Sequence, residues 1–333
     1  HGVKTVVDAL NSLAKQKPEY FAVAIPDEGV ELRQLMIKQP ILIFDPIDEY
    51  QVNKFFKYNL IPAVFTQEHL NILLKEKKRI KSNKKILVHV KIDTGMNRLG
   101  VDYWQAVKFI QKISLNNNFV IDGIFTHFAT SDEAGSKYAK LQIKRFNEVI
   151  KSLKENHINY GLAHAANSGA ILDFPEAYYD MVRPGISLYG YYPSLKTSES
   201  IKLYPVMSLV SKVSSIKKMQ KDESVSYGKR YFTKTETNII SVPIGYADGL
   251  SRALTNKAQA IINGKFYNQV GTVTMDRIMF DVANDKIKIN DDVILLGQKG
   301  KLKIDAWDWS KKLNTIPYEV TCGISKRVPR IKK

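Results

Sequence analysis

Residues Lys91–Gly100 form the stretch KIDTGMNRLG, and it follows the apolar run Ile86–Ile92, which has the composition of a buried strand. Lys91 and Asp93 stand at the end of that run, and Arg98 comes soon after them. Unpaired charges are costly to bury, so ionisable groups crowded at a strand end need partners or a ligand. In an α/β barrel this end of the strands carries the chemistry. We therefore take the stretch as the start of a candidate site.

The pattern on both sides of this stretch predicts a parallel sheet, because strand-like runs that are apolar on both faces alternate with helical patterns. The predicted strands are Tyr20–Ala24, Pro40–Phe44, Pro62–Thr66, Ile86–Ile92, Ile121–His127, Tyr160–Ala166 and Met181–Ile186. The predicted helices are Val3–Lys15, Asp27–Lys38, Tyr50–Tyr58, Gln67–Lys81, Tyr103–Leu115, Ala134–Asn156 and Ser168–Leu172, with Gly100 expected to open a helix. A closed barrel has eight strands, and the chain opens on a helix, so we expect a (β/α)8-type barrel whose first strand is missing.

After about Leu195 the sequence changes character. A polar break, KTSES, precedes short β segments with turn signals such as Asn263-Gly264. The predicted segments are Val206–Lys217, Asn238–Val242, Gln259–Ile262, Lys265–Val270, Ile278–Val282 and Asp292–Leu296, followed by a helix at Ile304–Leu313. We predict a barrel domain over residues 1–200 and a mainly β domain over residues 201–333.

Composition narrows the class of protein. The one cysteine, Cys322, excludes an internal disulfide, fits a reducing cytosol and is expected to pack as an apolar residue. No apolar run approaches the roughly 20 residues that span a bilayer, so we expect no membrane partner. The net charge of +17 could suggest nucleic acid, but the lysines are scattered and no nucleic-acid-binding motif accompanies them. We therefore expect no nucleic-acid partner, and no metal.

Polar residues also follow the later predicted strands. Thr126-His127, Asn167-Ser168 and Arg183 with Gly185-Ile186 would meet Arg98 on one face of a barrel. Each has a plain structural explanation: His127 as a hydrogen-bonded histidine, Asn167 as a helix N-cap, and Arg183 as the partner of a core carboxylate.

Together these residues suit an anionic, planar cofactor. Ser168 and the N–H groups of Gly185 and Ile186 can cradle a phosphate, while His127 stacks on a flat ring. The two arginines are fixed cations that can bond ring atoms. This set favours pyridoxal 5′-phosphate, although a sugar-phosphate enzyme would share most of it.

Motifs spread over essentially the whole chain resemble the alanine racemase family, in order and in spacing. They are KIDTGMNRLG (91–100), GIFTHFATSDE (123–133), HAANSGAILDFPEAYYDMVRPGISLYG (164–190), VSYGKRY (225–231), PIGYADGLSR (243–252), VGTVTMD (270–276) and IPYEVTCGISKRVPR (316–330). The resemblance implies a cytoplasmic homodimer that holds pyridoxal 5′-phosphate and racemises L-alanine to D-alanine for peptidoglycan precursors. It also implies a two-base mechanism.

The resemblance assigns roles to residues of the second domain. Tyr227 would cross the dimer interface and act as catalytic base or acid in the partner's site, which requires a pKa below the usual value of about 10. The loop Met275-Asp276 would bind the substrate carboxylate, also in the partner's site. Tyr318 would lie beside the cofactor phosphate.

Within the barrel, the resemblance places Arg183 against the pyridine nitrogen, which would stay unprotonated and be a weaker electron sink. Arg98 would bond the ring oxygen and contact substrate. Lys91, by position alone a candidate to carry the cofactor covalently, instead matches a lysine that is often carbamylated and holds Arg98. Supporting and entryway positions match Asp132, His164, Tyr246 and Arg252. Thr272 replaces an entryway arginine of the family, which puts the gating charge network in doubt.

The family's cofactor-bearing lysine lies in a motif whose final His-Gly matches His1-Gly2. We therefore expect that lysine before residue 1 and expect the chain as given to be inactive. Two enzyme alternatives remain: a racemase of broad specificity and a fold-type III decarboxylase. A non-catalytic barrel that binds pyridoxal phosphate is the alternative from another class.

Overall fold

The computed structural model describes residues 17–331, which divide into two compact units. The first unit comprises residues 17–185 together with Ser194–Ile201, and the second comprises Ile186–Pro193 together with residues 202–331. The predicted helix Val3–Lys15 and the match at His1-Gly2 lie outside the described residues. No helix within 17–331 has the length and apolar character needed to cross a lipid bilayer.

The first unit is built on a parallel sheet in which strands adjacent in sequence are also adjacent in space. The order is β1-β2-β3-β4-β6-β7, and β5 pairs with the end of β4. The strands are β1 Phe21–Val23, β2 Ile41–Ile43, β3 Ile61–Val64, β4 Ile86–Asp93, β5 Val101–Asp102, β6 Phe119–Phe125 and β7 Leu162–His164. This parallel alternation of strand and helix is that of a (β/α) barrel, so the predicted fold class is confirmed.

Helices between these strands cover the sheet with their apolar faces. They are Pro26–Gln34, Val52–Lys57, Gln67–Arg79, Tyr103–Ser114, Lys137–Glu155 and Ser168–Asp173. Local chemistry sets their starts: the Thr66 and Ser136 hydroxyls each accept a first-turn N–H, of His69 and Ala139. Leu73 and Phe146 then bury fully against the sheet.

Two local predictions in this unit are wrong. Met181–Ile186 forms no strand, only a single parallel bridge between His164 and Met181, because Pro184 lacks the N–H that a ladder needs. Gly100 opens no helix: its φ is 131°, and the helix begins at Tyr103. A Cβ at Gly100 would lie 2.7 Å from the backbone nitrogen of Asp93, so the chain returns here onto its own strand.

The second unit is an antiparallel sheet in the order β15-β14-β11-β12-β13-β10-β9, with β8 paired to β14. Its strands are β8 Leu209–Lys212, β9 Ser215–Met219, β10 Thr237–Val242, β11 Gln259–Ile262, β12 Lys265–Val270, β13 Ile278–Asp281, β14 Asp292–Lys299 and β15 Leu302–Ile304. The predicted run Val206–Lys217 is two strands, because the chain changes its pairing partner at Val213 and Ser214: β8 pairs with β14, and β9 pairs with β10. The helices are Ala306–Leu313 and Pro317–Gly323; the second of them and β15 were not predicted.

Candidate active site

The loop after β4 is a turn held by its own aspartate. The Asp93 carboxylate accepts the backbone N–H groups of Gly95 at 2.8 Å and Asn97 at 3.1 Å. Helix Lys137–Glu155 fixes the turn from outside, since the Tyr138 hydroxyl donates to the Gly95 carbonyl at 2.7 Å. Gly95 has a φ of 139°, and a Cβ there would lie 2.6 Å from that hydroxyl oxygen, so only glycine fits. The loop thus positions Arg98, whose side chain is exposed.

Four basic side chains of the first unit, Lys91, Arg98, His127 and Arg183, lie close enough to affect one another electrostatically. Burial lowers the pKa of Lys91 to about 8, and repulsion from Arg98 and Arg183 adds to the effect. Burial also lowers the pKa of His127 to about 3, again helped by Arg183, Arg98 and Lys91. His127 is therefore neutral at pH 7, and the cations around it suit an anionic ligand.

The Arg183 guanidinium is held by three hydrogen-bond acceptors at the ends of β6 and β7. One terminal nitrogen donates to His164 Nδ1 at 2.6 Å, and the other donates to the carbonyls of Thr126 at 2.8 Å and Ala165 at 2.9 Å. Burial lowers the pKa of the guanidinium to about 9, so it remains a cation at neutral pH. The Nε–H group has no acceptor within residues 17–331, which leaves it for a ligand.

His164 does not line an entryway, and that prediction is wrong. It ends β7, its side chain is 0% exposed, and its ring stacks on Phe125 with centroids 5.0 Å apart and planes 7° apart. One ring nitrogen takes the Arg183 bond and the other lies 2.9 Å from His89 Nδ1. The interior position follows from the alternation of side chains along the strand, which the motif match did not resolve.

The start of helix Ser168–Asp173 carries residues that were predicted to bind a phosphate. Asn167 is the N-cap, as predicted: its Oδ1 accepts the Ala170 N–H at 3.1 Å and the Ser131 hydroxyl at 2.7 Å. The Gly185 N–H donates to Ser168 Oγ at 2.8 Å, so these two residues do meet. Ile186 begins a separate turn of 3₁₀ helix, Ile186–Tyr189.

Asp132 lies at the edge of this group, where its carbonyl accepts the Ser194 hydroxyl within the first unit. Its side chain is partly exposed. This position leaves its entryway role a prediction.

In the second unit, Tyr227 projects from a strained turn. Ser226 and Gly228 on either side have φ values of 69° and 73°, and the Tyr227 side chain is 76% exposed. Thr272 holds this turn: its buried hydroxyl donates to the Tyr227 carbonyl at 2.6 Å, and the Ser226 hydroxyl donates back to the Thr272 carbonyl at 2.9 Å. Sequence reasoning noted Thr272 only as a departure and missed this contact.

Two other predicted elements pack on each other in the same unit. The Tyr246 N–H donates to the Thr274 carbonyl at 3.0 Å, beside the exposed Met275. A Cβ at Gly245 would lie 2.3 Å from the Met275 carbonyl, so that close approach requires glycine. The Asp276 carboxylate accepts from Arg327 at 2.8 Å. Its charge is thereby balanced before any substrate arrives.

The remaining predicted residues are exposed or partly exposed. Arg252 lies in the 3₁₀ turn Arg252–Leu254, and Tyr318 lies on helix Pro317–Gly323 with 37% of its surface exposed. Cys322 is also exposed, so the prediction that it packs as an apolar residue is wrong. The short helix that carries it leaves one face toward solvent, and this helix was not predicted.

Comparison with known proteins decides what these two units are. The family model for the alanine racemase N-terminal domain matches residues 1–193, and the model for the C-terminal domain matches residues 206–332. This chain belongs to the alanine racemase family. Alanine racemases are isomerases that depend on pyridoxal 5′-phosphate and interconvert L- and D-alanine, and this is the activity of the chain's family.

The similarity extends over nearly all of the chain. Alanine racemase 2 of Caldanaerobacter subterraneus subsp. tengcongensis is 41% identical over 99% of this chain and 84% of its own length. A solved alanine racemase of Clostridium difficile 630 is 37% identical, with a TM-score of 0.90 over 97% of this chain and 84% of that one. A histidine racemase of Leuconostoc mesenteroides subsp. sake is 27% identical, with a TM-score of 0.89 over 99% of this chain and 87% of that one.

The residues of the first unit fit the cofactor of the alanine racemases. The unassigned Nε–H of Arg183 suits a ring nitrogen that accepts a hydrogen bond, and neutral His127 suits a stacked ring. The mutual repulsion of Lys91, Arg98 and Arg183 would be relieved by an anion.

Proposed function

We propose that racemisation occurs at a site shared by two copies of the chain, with Tyr227 of one copy acting at the barrel of the other. The observation that carries this proposal is the fixed but exposed Tyr227, which has a locked backbone and a side chain 76% open to solvent. A catalytic tyrosine needs both a rigid position and access to the substrate. An aromatic side chain left this exposed also suits burial against a partner.

The chain's own residues would bind and orient the reactants. Ser168, Gly185 and Ile186, with Asn167 as cap and Tyr318 by resemblance, would hold the cofactor phosphate. His127 would stack on the ring, Arg98 would bond its oxygen and Arg183 its nitrogen. The cofactor, when bound, withdraws electrons from the substrate α-carbon. Because Arg183 stays protonated, it would donate a hydrogen bond to the ring nitrogen and leave that nitrogen unprotonated.

Proton transfer then falls to groups on the two faces of the α-carbon. The Tyr227 hydroxyl would take or return the proton on one face, while Met275-Asp276 and Arg98 hold the substrate carboxylate. The Asp276 side chain is paired with Arg327, so the loop can offer backbone N–H groups without repelling the carboxylate. On the other face the family uses its cofactor-bearing lysine, whose motif matches this sequence only at His1-Gly2, outside the described residues.

We assign Asp132, Tyr246 and Arg252 to the substrate entryway, as the resemblance implies. We also propose a cytoplasmic homodimer that supplies D-alanine for peptidoglycan precursors. The single cysteine suits a reducing compartment. The substrate is a small amino acid.

Lys91 supports Arg98 in this proposal as a carbamate. Only the neutral amine reacts with CO₂, and a pKa of about 8 leaves roughly a tenth of the amines neutral at pH 7, far more than for an ordinary lysine. We expect ¹³C-labelled bicarbonate to give a carbamate NMR signal that Lys91→Arg removes and Lys85→Arg, at a surface lysine, retains. A carbamate signal that persists in Lys91→Arg would refute the assignment.

Mixing two inactive variants tests the shared site, with both made in protein that includes the family's lysine motif before residue 1. Tyr227→Phe removes the group given to the partner, and Arg98→Gln impairs the barrel that receives it. After the two are unfolded and refolded together, half of the dimers would contain one intact site, giving about a quarter of the wild-type rate of D-alanine formation. Each variant refolded alone stays inactive. If the mixture also stays inactive while dimers form, the shared site is wrong.

A racemase of broader specificity is the second candidate, and the similarity to a histidine racemase favours testing it. Racemisation rates for L-alanine, L-serine, L-histidine and L-lysine would separate the two. Release of CO₂ from a basic amino acid would identify a decarboxylase instead. Binding of pyridoxal phosphate without turnover of any amino acid would identify the non-catalytic barrel.

A further inference from the structure

A line of hydrogen-bonded side chains crosses the interior of the first unit from Arg183 to Asp122. Arg183 meets His164 Nδ1 at 2.6 Å, His164 Nε2 lies 2.9 Å from His89 Nδ1, and His89 Nε2 lies 3.2 Å from Asp122 Oδ2. Both histidines are 0% exposed. The Tyr20 hydroxyl donates to the same Asp122 oxygen at 2.9 Å. The reaction described above uses only the Arg183 end of this line.

The two ends of the line require the same proton pattern: Arg183 needs an acceptor at His164 Nδ1, and Asp122 accepts the hydrogen that this pattern leaves on His89 Nε2. A guanidinium can only donate, so His164 Nδ1 must accept and His164 Nε2 must carry the hydrogen. His89 Nδ1 therefore accepts, and His89 Nε2–H donates to the Asp122 carboxylate, which as an anion can only accept. Both rings are then neutral Nε2–H tautomers.

No other arrangement satisfies these atoms. A doubly protonated His89 would donate to His164 Nε2, which would move the hydrogen of His164 to Nδ1. That N–H would then face the Arg183 N–H across 2.6 Å, donor against donor. Electrostatics agree with a neutral His164, because burial and Arg183 hold its pKa well below its usual range. Hydrogen bonds from His89 and Tyr20 hold the pKa of Asp122 below its usual range, so its carboxylate is ionised.

The backbone of β4 and β6 has two features that make room for these side chains, a β-bulge and a glycine. The register between β4 and β6 shifts by one residue where Val88 pairs with Ile121 and His89 pairs with Gly123, leaving Asp122 as the extra residue. A Cβ at Gly123 would lie 2.5 Å from the His89 ring, so glycine makes room for it. The bulge and the glycine together admit the His89 ring and place the Asp122 carboxylate at its far nitrogen.

We propose that Asp122 is a positioning residue: acting through His89 and His164, it fixes the acceptor of Arg183 and so aims the guanidinium at the cofactor ring nitrogen. The proposal rests on the proposed function only for the place of Arg183 beside that ring. Without the carboxylate, the buried His89 Nε2–H has no acceptor, and this cost opposes the tautomers that Arg183 requires. The alternative pattern, in which His89 Nδ1–H donates to His164 Nε2, then competes and places an Nδ1–H of His164 against Arg183. The guanidinium must then move away from both the histidine and the ring.

Nitrogen NMR of histidine tests the proton pattern directly, in protein with and without pyridoxal phosphate. The chain has six histidines, so selective ¹⁵N labelling gives few signals, and long-range ¹H–¹⁵N correlations distinguish Nδ1 from Nε2. We expect His89 and His164 both to show a protonated Nε2 and an unprotonated Nδ1. A protonated Nδ1 on His164 in the wild-type protein would overturn the proposal, whatever the enzymatic activity.

Variants of Asp122 test the cause. Asp122→Leu keeps the side-chain volume and removes the acceptor, so we expect the His89 and His164 signals to shift to mixed tautomers while His69 and His157 stay unchanged. The absorption maximum of bound pyridoxal phosphate should shift, and its affinity should fall about ten- to a hundredfold, as on losing a buried hydrogen-bond partner. Tyr20→Phe removes one donor and keeps the carboxylate, so it should leave the tautomers unchanged.

Asp122→Asn keeps an acceptor oxygen, and we expect the wild-type tautomers with an intermediate affinity for pyridoxal phosphate. If Asp122→Leu fails to fold, the histidine tautomers of the wild-type protein and of Asp122→Asn still test the proposal. Unchanged tautomers and an unchanged cofactor spectrum in a folded Asp122→Leu protein would show that Asp122 does not position Arg183. Failure of racemisation with the tautomers as described would instead count against the proposed function alone.

Discussion

The two units present their candidate groups in opposite ways. In the parallel unit, Arg183 is fixed by a histidine and two carbonyls, and the buried His164 behind it has a partner on each ring nitrogen. In the antiparallel unit, Tyr227 is fixed only through its backbone, and its side chain stands in solvent. A preorganised cation needs support from its own fold, whereas a group that acts in another subunit must stay uncovered until that subunit arrives.

The contrast predicts which substitutions harm chemistry and which harm folding. A side chain held by the interior contributes both to stability and to the site, so its loss should affect both. An exposed side chain on a locked backbone should affect only the reaction.

The largest effect is expected for Tyr227→Phe in protein that includes the family's lysine motif before residue 1. It should lower kcat for D-alanine formation by about 10²–10⁴-fold, the range for loss of a catalytic acid or base. Thermal unfolding should not change, because the hydroxyl is exposed. Tyr204→Phe, at another exposed tyrosine of the same unit, is the control and should retain full activity. Near wild-type turnover in Tyr227→Phe would remove the tyrosine from the mechanism.

Two arginines of the first unit, Arg33 and Arg183, separate an effect on stability from an effect on cofactor binding. Among residues 17–331, Arg33 donates only to backbone carbonyls, those of Ile37, Gln39, Tyr58 and Asn59. Arg33→Gln should therefore cost about 1–3 kcal/mol of stability and leave the affinity for pyridoxal phosphate unchanged. Arg183→Gln should lower that affinity about ten- to a hundredfold as well. Titration with pyridoxal phosphate and denaturant unfolding measure the two effects, and equal cofactor affinities in both variants would contradict the role of Arg183.

A smaller effect is expected where the backbone of Tyr227 is held. Thr272→Val keeps the shape and removes the hydroxyl that bonds the Tyr227 carbonyl, so kcat should fall about fivefold, as for one hydrogen bond of about 1 kcal/mol. Thr233→Val removes another buried hydroxyl of this unit, one bonded to the Gln220 carbonyl, and should lower stability without lowering kcat. Equal kcat values for the two variants would mean that the turn needs no such support.

The smallest effect concerns acid stability of the first unit. The folded pKa of His127 is about 3, below its ordinary value of about 6.5, so between these values the unfolded chain binds the proton and the folded chain does not. His127 therefore lowers stability as pH falls through this window. His127→Asn should flatten the slope of unfolding free energy against pH, and the exposed His157→Asn should not. An identical slope in wild type and His127→Asn would contradict the low pKa.

Much of the fold followed from the sequence because its signals are local. The alternation of apolar runs and helical patterns gave the parallel unit, and Gln259–Ile262 and Lys265–Val270 were predicted to the residue around the Asn263-Gly264 turn. Boundaries failed where distant pairings decide them, as at Val206–Lys217, where β8 pairs with β14 and β9 pairs with β10. The candidate site residues came from motif spacing, which says what a residue matches and not which way its side chain points.

His164 shows the limit of that reasoning. Its motif suggested an entryway, yet the strand turns it inward onto Phe125 and Arg183. No role was predicted for His89, although a histidine inside the apolar run ILVHVKI is a signal of a buried polar contact. Neither its partner 75 residues away nor Asp122 at its other nitrogen can be read from spacing.

The stretch KIDTGMNRLG shows what the sequence determines and what requires the tertiary structure. The sequence by itself determined that charged groups meet at the end of a buried strand, since composition and periodicity are properties of neighbouring residues. Only the tertiary structure decided that Lys91 has a lowered pKa, that Asp93 is occupied in the turn and that Arg183 is bound to His164. Burial, repulsion and hydrogen-bond direction arise between residues that the chain brings together from far apart.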